Sequence, residues 1–494
     1  MKYISTRGED VSGVSSAYAI KTGLAKDSGL FMPESIPSLS LDEIENLIGA
    51  SYPERAAKVL AKYLDDYSYG ELMEDAEAAY SRDKFYDFPA KLTDMKDGTY
   101  MLELWHGPTC AFKDMALQIM PRLFVRALRK CGEDRRALIL VATSGDTGKA
   151  ALEGYRDVEG TLVKVFYPID GVSRVQKLQM QTQSGNNVSV SGIIGNFDDA
   201  QTGVKQIFAD RDYACLLDKE GVFLSSANSI NWGRLAPQIA YYVSAYCDMV
   251  KCGAIGLGDS IDVCVPTGNF GNIFACYLAK KMGLPVGKLI CASNKNDVLT
   301  EFLSTGVYDK NRLFHTTMSP SMDILISSNL ERLLYVTLGA EKTATYMREL
   351  GSTGRYILKE DDLKKISSDF VGYSANEDMT ARTIKDVYEN KNCLIDPHTA
   401  VAFYATQRYI EDNKAERRIL TVSTASAYKF AVDVYASLTG ERPADELKAL
   451  SMLEEMTGEP IPLPLRELEG KRIIHSSVIS KTDMRDAVSE FAKG

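Results

Sequence analysis

The sequence predicts an α/β fold in which helices cover parallel sheets. From about residue 95 onward, short apolar runs alternate with loops and helix-prone segments, and this repetition implies parallel strands joined by right-handed crossovers. Glycine-rich loops follow several predicted strands, and in such sheets ligands bind at the carboxyl ends of strands. Before residue 95 the apolar spacing is helical, which predicts a mainly helical N-terminal extension.

Length and composition restrict the class of protein. The 494 residues predict two or three domains, and the hydrophobic (45%) and charged (25%) fractions are ordinary for a globular protein. A net charge of −10 argues against nucleic-acid binding, which needs a basic surface. The first residues contain no apolar signal region, and no apolar run approaches the ~20 residues of a membrane helix. We therefore expect no nucleic-acid partner and no membrane partner.

The cysteines predict reduced thiols and no metal site. Nine cysteines are spread singly along the chain without a CxxC pair, and only four histidines accompany them. Zinc sites need clustered cysteine and histidine ligands, which this spacing does not offer. An odd number of cysteines without a disulfide framework is typical of a reducing compartment, so we expect a cytoplasmic protein.

The N-terminal region contains one clear helix start. Ser40 precedes an apolar pattern with Glu43 three residues on, the arrangement of a capping box. Residues 56–67 have helical apolar spacing, and residues 29–33 read as a turn with apolar anchors. We expect this region to pack against a neighbouring domain.

The alternating part of the chain gives a series of strands and helices. The predicted strands are residues 137–142, 161–167, 188–194, 261–265, 290–293 and 419–423. The predicted helices are residues 149–155, 172–183, 203–208 and 273–282.

One lysine stands out by its position. Lys113 follows a Gly-Pro turn, lies next to Phe112 and begins a segment with near-helical apolar spacing. Burial would lower the pKa of such a lysine, and a neutral amine can form a Schiff base with an aldehyde. The alternative from these residues alone is an ordinary solvated lysine.

Two strand-to-helix loops have the composition of anion sites. Residues 266–272 combine two glycines with amides at a helix start, and residues 143–148 combine hydroxyls with backbone amides. Neither loop matches the P-loop or the dinucleotide fingerprint. Plain turn chemistry and an ordinary Ser144 or Thr147 helix cap are the alternatives.

Three further segments carry polar groups suited to binding. Residues 226–234 place amides, an indole and the Arg234 guanidinium close together, and a guanidinium binds phosphate with two hydrogen bonds. His398 lies at a predicted helix start, where a structural role is more common than acid–base chemistry. Residues 421–430 end a predicted strand and include Thr424 and Lys429.

These segments resemble motifs of threonine synthases, which are pyridoxal-phosphate enzymes of fold type II. The chain contains YISTRG at 3–8, GLFMPE at 29–34, HGPT at 106–109, FKD at 112–114, TSGDTG at 143–148, NSINWGR at 228–234, GNFGN at 268–272 and DPHTA at 396–400. One segment departs from the family: Ser426, Ala427 and Tyr428 replace the His-Pro-Ala of STAHPAKF, which puts the shape of that loop in doubt.

The resemblance implies a fold and a division into domains. The fold would be similar to the tryptophan synthase β-subunit, with two parallel-sheet three-layer domains. The expected parts are an extension over 1–95, a large cofactor-binding domain over 96–135 and 255–494, and a small mobile domain over 136–254.

The resemblance also implies roles for individual residues. Lys113 would hold pyridoxal 5'-phosphate covalently and act as the catalytic group. Cofactor contacts would come from Gly268, Asn269, Phe270, Asn272 and Thr424, with Thr424 at the pyridine nitrogen. Substrate contacts would come from Thr143, Ser144, Asp146, Thr147, Lys149, Asn228, Asn231 and Arg234.

The activity implied by the resemblance is conversion of O-phospho-L-homoserine and water to L-threonine and phosphate. The enzyme would be a cytoplasmic monomer or homodimer without a metal ion. One rival is a threonine synthase-like phospho-lyase that releases a keto acid and ammonia. A second rival is a non-catalytic α/β protein that binds phosphates or nucleotides through its glycine-rich loops.

Overall fold

The protein is described by a computed structural model over residues 1–8, 12–86 and 88–494. The strands are β1 (Tyr3–Ser5), β2 (Phe31–Pro33), β3 (Lys91–Asp94), β4 (Thr99–Glu103), β5 (Arg136–Ala142), β6 (Thr161–Pro168), β7 (Val188–Ile193), β8 (Val222–Ser225), β9 (Ile261–Pro266), β10 (Val286–Ser293), β11 (Val307–Asp309), β12 (Arg355–Ile357), β13 (Phe370–Ser374), β14 (Ile419–Ser423) and β15 (Val478–Ile479). The α-helices are α1 (Ser16–Thr22), α2 (Leu41–Ile48), α3 (Tyr52–Ala61), α4 (Tyr69–Ala79), α5 (Arg82–Phe85), α6 (Asp114–Leu117), α7 (Met120–Lys130), α8 (Asp146–Gly154), α9 (Arg174–Gln181), α10 (Phe197–Ala209), α11 (Arg211–Lys219), α12 (Trp232–Leu235), α13 (Pro237–Lys251), α14 (Gly271–Met282), α15 (Val298–Thr305), α16 (Leu330–Leu338), α17 (Ala340–Thr353), α18 (Glu360–Ser367), α19 (Glu377–Lys391), α20 (Pro397–Asn413), α21 (Ala431–Thr439), α22 (Glu446–Thr457), α23 (Leu463–Arg466) and α24 (Met484–Lys493).

The larger sheet has six strands in the order β13, β10, β9, β14, β4 and β3. Its strands run parallel except at one edge, where β3 is antiparallel to β4. Strands β9 and β14 are buried along their whole length, which explains why most of their residues are apolar. The α/β expectation is confirmed, and β3 extends the sheet into residues that we had placed in the N-terminal extension.

The smaller sheet has five parallel strands in the order β15, β7, β6, β5 and β8. The chain leaves the larger sheet after β4, builds β5 to β8 and returns at β9, as an inserted unit does. The last strand and helix correct one predicted range, because β15 pairs with β7 and α24 packs on the outer face of this sheet. That segment had been assigned to the large domain; the domain division itself stays a prediction.

The N-terminal helices pack against the central body, as expected. Helices α2 and α3 contact α13, and the indole of Trp232 lies between the rings of Tyr3 and Tyr63, with both centroid separations 5.4 Å. The predicted capping box is present at Ser40 and Glu43. Each described helix is too short or too polar to cross a bilayer.

The topology brings the predicted loops to one edge. Strands β9, β14 and β4 are neighbours in the larger sheet, and their carboxyl ends lead to Gly268, Thr424 and Lys113 respectively. The carboxyl end of β5, in the smaller sheet, leads to Thr143. A parallel sheet places these ends side by side, so residues far apart in sequence share one site.

Candidate active site

Lys113 lies immediately before α6, on a loop that is fastened to the loop after β14. The backbone N–H of Phe112 donates to the carbonyl of Thr424 at 2.8 Å, and the N–H of Ser426 donates to the carbonyl of Cys110 at 3.1 Å. Lys113 is only 8% exposed. The side chains of Lys113 and Thr424 are therefore held in fixed relation to each other.

The amine of Lys113 lies between a carboxylate and a hydroxyl. Its Nζ atom is 3.3 Å from Oδ2 of Asp146 and 3.2 Å from Oγ of Ser321. Burial lowers the pKa of Lys113, and the Asp146 carboxylate opposes this shift without cancelling it. A lysine with a lowered pKa has the property that Schiff-base chemistry requires, so the solvated alternative is excluded.

The carboxylate of Asp146, which follows β5 of the smaller sheet, contacts lysines that follow strands of the larger sheet. Its Oδ1 atom lies 2.8 Å from Nζ of Lys429 and accepts a hydrogen bond of 2.8 Å from Nε2 of Gln176. Burial alone would raise the pKa of Asp146, but the two neighbouring lysines outweigh it and hold the pKa well below its ordinary value. Asp146 is thus an ionised carboxylate shared by Lys113 and Lys429.

The loop after β9 has the geometry of an anion site. Phe270 adopts a left-handed conformation (φ 60°) directly before α14, a backbone state that is rare outside glycine and concentrated at functional sites. The carbonyl of Asn269 accepts hydrogen bonds from the backbone N–H and Nδ2 of Asn329, and that of Gly268 accepts one from Ser327. These bonds fix the loop at the positive end of the α14 dipole.

Asn272 provides an unpaired donor beside this loop. Its Oδ1 atom accepts hydrogen bonds from the hydroxyls of Tyr241 and Tyr242. Its Nδ2 atom is buried without a partner among the described residues. A buried unpaired donor costs about 1–3 kcal/mol, and a phosphate oxygen at the loop would satisfy it.

Ser321 is positioned by a histidine. The backbone N–H of Ser321 donates to Nε2 of His398 at 3.1 Å, and Nδ1 of His398 lies 2.6 Å from Oδ2 of Asp396. Because Nε2 accepts a hydrogen bond, the proton is on Nδ1 and His398 is neutral. The structural role that we favoured for this histidine fits the geometry.

Residues 143–149 separate into buried and exposed positions. The Oγ1 atom of Thr143 accepts hydrogen bonds from the N–H groups of Gly145 and Gly148, both 3.0 Å, and so shapes the turn into α8. Ser144 is exposed and Thr147 half-buried, which leaves both hydroxyls accessible to a ligand. Lys149 contacts Glu153 and Gln183.

Residues 228–234 also serve more than one purpose. Asn231 donates from Nδ2 to the carbonyl of Ile20 and accepts the N–H of Gly233 on Oδ1, both at 2.8 Å. These bonds give Asn231 a structural role, and its predicted substrate contact stays untested. Arg234 is buried, and one of its nitrogens donates to the carbonyl of Ala227 at 2.8 Å. Asn228 is half-buried on the same loop.

Reading the sequence did not single out Ser321, Gln176 or Arg332. Ser321 is separated from Lys113 by 208 positions, so only folding reveals the contact. Arg332 is fully buried, and its guanidinium donates to the carbonyls of Phe31 and Ile230 and to Oδ1 of Asn329. Lys429 matched the family motif, but nothing in the sequence indicated its partner.

The loop that departs from the family pattern is well ordered by contacts. Ser426 bonds Cys110 through its N–H, while its hydroxyl accepts the N–H of Tyr428 at 3.3 Å. The Tyr428 ring is buried and its hydroxyl donates to the carbonyl of Glu459. These contacts define the shape of the loop that the departure from the family pattern had put in doubt.

Several relatives cover almost the whole chain. Threonine synthase from Pseudomonas aeruginosa is 38% identical over 90% of this chain and 92% of its own length, and that from Saccharomyces cerevisiae is 36% identical over 92% and 94%. Human threonine synthase-like 1 is 41% identical over 88% of this chain, which spans 60% of the human protein. PLP-bound threonine synthase from Brucella melitensis has a similar structure, with a TM-score of 0.89, 34% identity and full coverage of both chains. The yeast structure gives a TM-score of 0.88 at 33% identity, covering 99% of this chain and 98% of its own.

The family matches agree with the site. Residues 93–425 match the family described as pyridoxal-phosphate dependent enzyme. The fold, the buried Lys113 and the anion loop define a pyridoxal-phosphate-dependent enzyme of fold type II. Residues 2–80 match the family described as threonine synthase N terminus, and the chain belongs to the threonine synthase family. The family membership favours an enzyme over the non-catalytic phosphate-binding alternative.

Proposed function

We propose that the protein is a threonine synthase that converts O-phospho-L-homoserine and water to L-threonine and phosphate. The observation that carries the proposal is the buried amine of Lys113, held between Asp146 and Ser321 at the same edge as the anion loop of residues 268–272. The homology to threonine synthases over nine-tenths of the chain supports the choice of substrate.

The residues present fit pyridoxal phosphate. Lys113 would hold it covalently, the loop amides and Asn272 would bind its phosphate, and Thr424 would face the pyridine nitrogen. When bound, the cofactor supplies an electron sink for carbons next to the substrate's amino group. A threonine hydroxyl, unlike an aspartate, leaves the pyridine nitrogen unprotonated.

Lys113 is the group placed to move protons. With substrate bound, the free amine of Lys113 would lie beside the reacting carbons and would remove a proton from Cα and then from Cβ. Phosphate leaves from Cγ with the bonding electrons. A proton is then added at Cγ, water adds its hydroxyl to Cβ, and Cα regains a proton. The net reaction consumes one water and releases one phosphate.

Asp146 and Ser321 tune this lysine. The carboxylate of Asp146 stabilises the protonated amine after each proton removal, because opposite charges at short range favour the charged form. The Ser321 hydroxyl accepts a hydrogen bond from Lys113 and keeps the amine oriented. His398 fixes Ser321 by accepting a hydrogen bond from the backbone N–H of Ser321.

We propose Arg234 as the main cationic contact for the substrate phosphate. Its guanidinium is buried, and burial lowers its pKa to about 10, which a bound phosphate would reverse. Lys149 is a weaker candidate, because it already pairs with Glu153 at 3.2 Å. Thr143, Ser144, Thr147 and Asn228 lie on the two loops that would receive the substrate.

The test is the product formed from O-phosphohomoserine by purified holoenzyme. We expect threonine and phosphate in equal amounts, and a visible absorption band that borohydride bleaches with label at Lys113. Lys113→Ala should lose turnover and the covalent link, while Lys205→Ala, at an exposed lysine of α10, should keep both. Full turnover by Lys113→Ala would refute the proposal.

The second candidate is a phospho-lyase that uses the same cofactor. The observation that favours it is the 41% identity to human threonine synthase-like 1. Such an enzyme would release a keto acid and ammonia from O-phosphohomoserine in place of threonine. Assaying both products in one reaction separates the two activities.

We further propose that the enzyme works in the cytoplasm as a monomer or homodimer. All nine cysteines are free thiols, which agrees with a reducing compartment. The described residues contain no cluster of ligands for a metal ion. Gel filtration with light scattering decides the oligomeric state.

A further inference from the structure

A second pocket lies on the outer face of the smaller sheet. It has a volume of about 480 Å³ and is covered by β15 and α24. The face belongs to the outer core around Leu162 and Phe166, whereas Val163 and Val165 point into the main core beside α8. The pocket is therefore separated from Lys113 by the sheet itself. Its size is in the range of small-molecule sites, about 300–1,000 Å³.

A buried lysine forms the floor of this pocket. Lys164 is 5% exposed, and its Nζ atom donates to Oγ of Ser189 at 2.8 Å and of Ser191 at 2.9 Å. Neither hydroxyl carries a charge, and no carboxylate of the described residues forms an ion pair with the amine. Buried charges in proteins are normally paired, so Lys164 has room for an anionic partner.

The electrostatics of the lysine agree with this geometry. Burial lowers the pKa of Lys164 to about 8, and Glu490 opposes the shift from a distance. The rings of Phe166 and Phe491 lie 5.5 and 5.9 Å from Nζ and limit access of water. A carboxylate bound at the third donor position would restore the full charge of the amine.

The rim of the pocket carries the opposite sign. Asp486 and Glu490 are exposed and lie four residues apart on α24, so they share one helix face. In the described part of the chain neither carboxylate forms an ion pair or accepts a hydrogen bond. A purely anionic ligand would be repelled by these carboxylates, and a cation would be repelled by Lys164. The pattern suits a molecule that carries both charges.

We propose that this pocket binds a free α-amino acid. The α-carboxylate would contact Lys164, Ser189 and Ser191, and the α-ammonium group would lie at Asp486 and Glu490. Phe491 and the half-buried Ile479 line the same pocket and offer apolar surface to a side chain. The site is distinct from the active site, so its occupancy does not depend on the proposed reaction.

The test is calorimetric titration of borohydride-reduced holoenzyme with each of the twenty L-amino acids. Any binding at the active site is common to all variants and cancels in the comparison. We expect at least one amino acid to show a binding step in the wild type that is lost in Lys164→Met. Lys205→Met, at an exposed lysine of the same sheet unit, is the matched control and should keep the step.

Variants of the rim test the second half of the proposal without disturbing the core. Asp486→Asn and Glu490→Gln are at exposed positions and should each weaken binding at least tenfold. Acetate alone and methylammonium alone should not compete with the amino acid for the pocket. Identical isotherms for wild type and Lys164→Met with all twenty amino acids would overturn the proposal. So would competition by acetate as strong as that of the amino acid, which would indicate a simple anion site.

Discussion

The Nζ atom of Lys429 lies 2.8 Å from Oδ1 of Asp146, although the two residues belong to loops from different sheets. Lys429 also donates to the carbonyl of Thr109, at 2.9 Å, and is completely buried on its side-chain surface. Asp146 in turn accepts Lys113 on its other oxygen. One carboxylate that follows a strand of the smaller sheet is therefore shared by two lysines that follow strands of the larger one.

Removing this carboxylate should destabilise the protein strongly. Asp146→Asn leaves two buried lysines without a counter-charge, and breaking a buried ion pair typically costs about 3–5 kcal/mol. We expect a loss of this size in the free energy of unfolding, measured with urea. Ser144→Ala changes an exposed residue of the same loop and should change that free energy by less than about 0.5 kcal/mol. An unfolding curve of Asp146→Asn that overlays the wild type would contradict the charge balance.

Ser321→Ala should impair catalysis with little effect on stability. The mutation deletes a hydrogen bond to the Lys113 amine, and hydrogen bonds to charged groups contribute about 1.5–3 kcal/mol, or roughly 10–100-fold in rate. We expect kcat to decrease by this factor. We also expect the pH profile of kcat to shift, because the amine loses a hydrogen-bond acceptor. Ser304→Ala, at an exposed serine of α15, should retain the wild-type profile. Equal kcat in both variants would show that Ser321 does not orient the amine.

Gly268→Ala should lower the affinity for the cofactor. A Cβ atom at this position would lie 2.5 Å from the backbone oxygen of Ser321, so the anion loop must move. Overpacking of this kind costs about 1–3 kcal/mol. Equilibrium dialysis of pyridoxal phosphate should show weaker binding. Gly351→Ala, inside α17 and in open space, should leave cofactor binding intact and stabilise the protein by roughly 0.5–1 kcal/mol.

Asp114 should make stability fall as pH rises. Burial raises the pKa of this carboxyl to about 6, from roughly 3.9 in an unfolded chain. Between pH 4 and 6 the folded state keeps a proton that the unfolded state has released, so this group lowers stability as pH rises through that window. The full difference is about 3 kcal/mol. Asp114→Asn should remove this part of the slope in urea titrations at several pH values, and an unchanged slope would exclude the raised pKa.

Arg332→Lys should loosen the N-terminal region. The planar guanidinium reaches Phe31, Ile230 and Asn329 at once, which a single ammonium group cannot do. We expect faster proteolysis of residues 1–80 and a loss of several kcal/mol, since hydrogen bonds to charged groups contribute about 1.5–3 kcal/mol each. Arg348→Lys, on α17, provides the control. Equal proteolysis rates in the two variants would contradict the prediction.

Local patterns were enough to predict much of the fold. The apolar run 137–142 corresponds to β5, 161–167 to β6 and 419–423 to β14, because strands buried on both faces leave few polar positions. The helix predicted at residues 203–208 is the second half of α10, whose polar first turn hides its start. The two-residue strand β15 carries no pattern of its own, and its place beside β7 is decided by tertiary packing.

The site was predictable in part. Lys113 and the anion loop could be predicted from their turn residues and from their resemblance to family motifs. The strand order of the larger sheet then places them at the same edge. The pairs Lys113–Ser321 and Asp146–Lys429 have no local signature, because their members are far apart in sequence. Asn231 shows a second role that the motif did not indicate, because its side-chain amide donates a hydrogen bond to the carbonyl of Ile20 in the N-terminal region.

The late position of β15 has a consequence for biosynthesis. Strands β5 to β8 leave the ribosome long before residues 478–493, so one edge of β7 stays unpaired while β9, β10, β13 and β14 of the larger sheet are being made. An open strand edge is a template for wrong partners. We expect nascent chains stalled before residue 478 to recruit chaperones that the finished chain no longer needs.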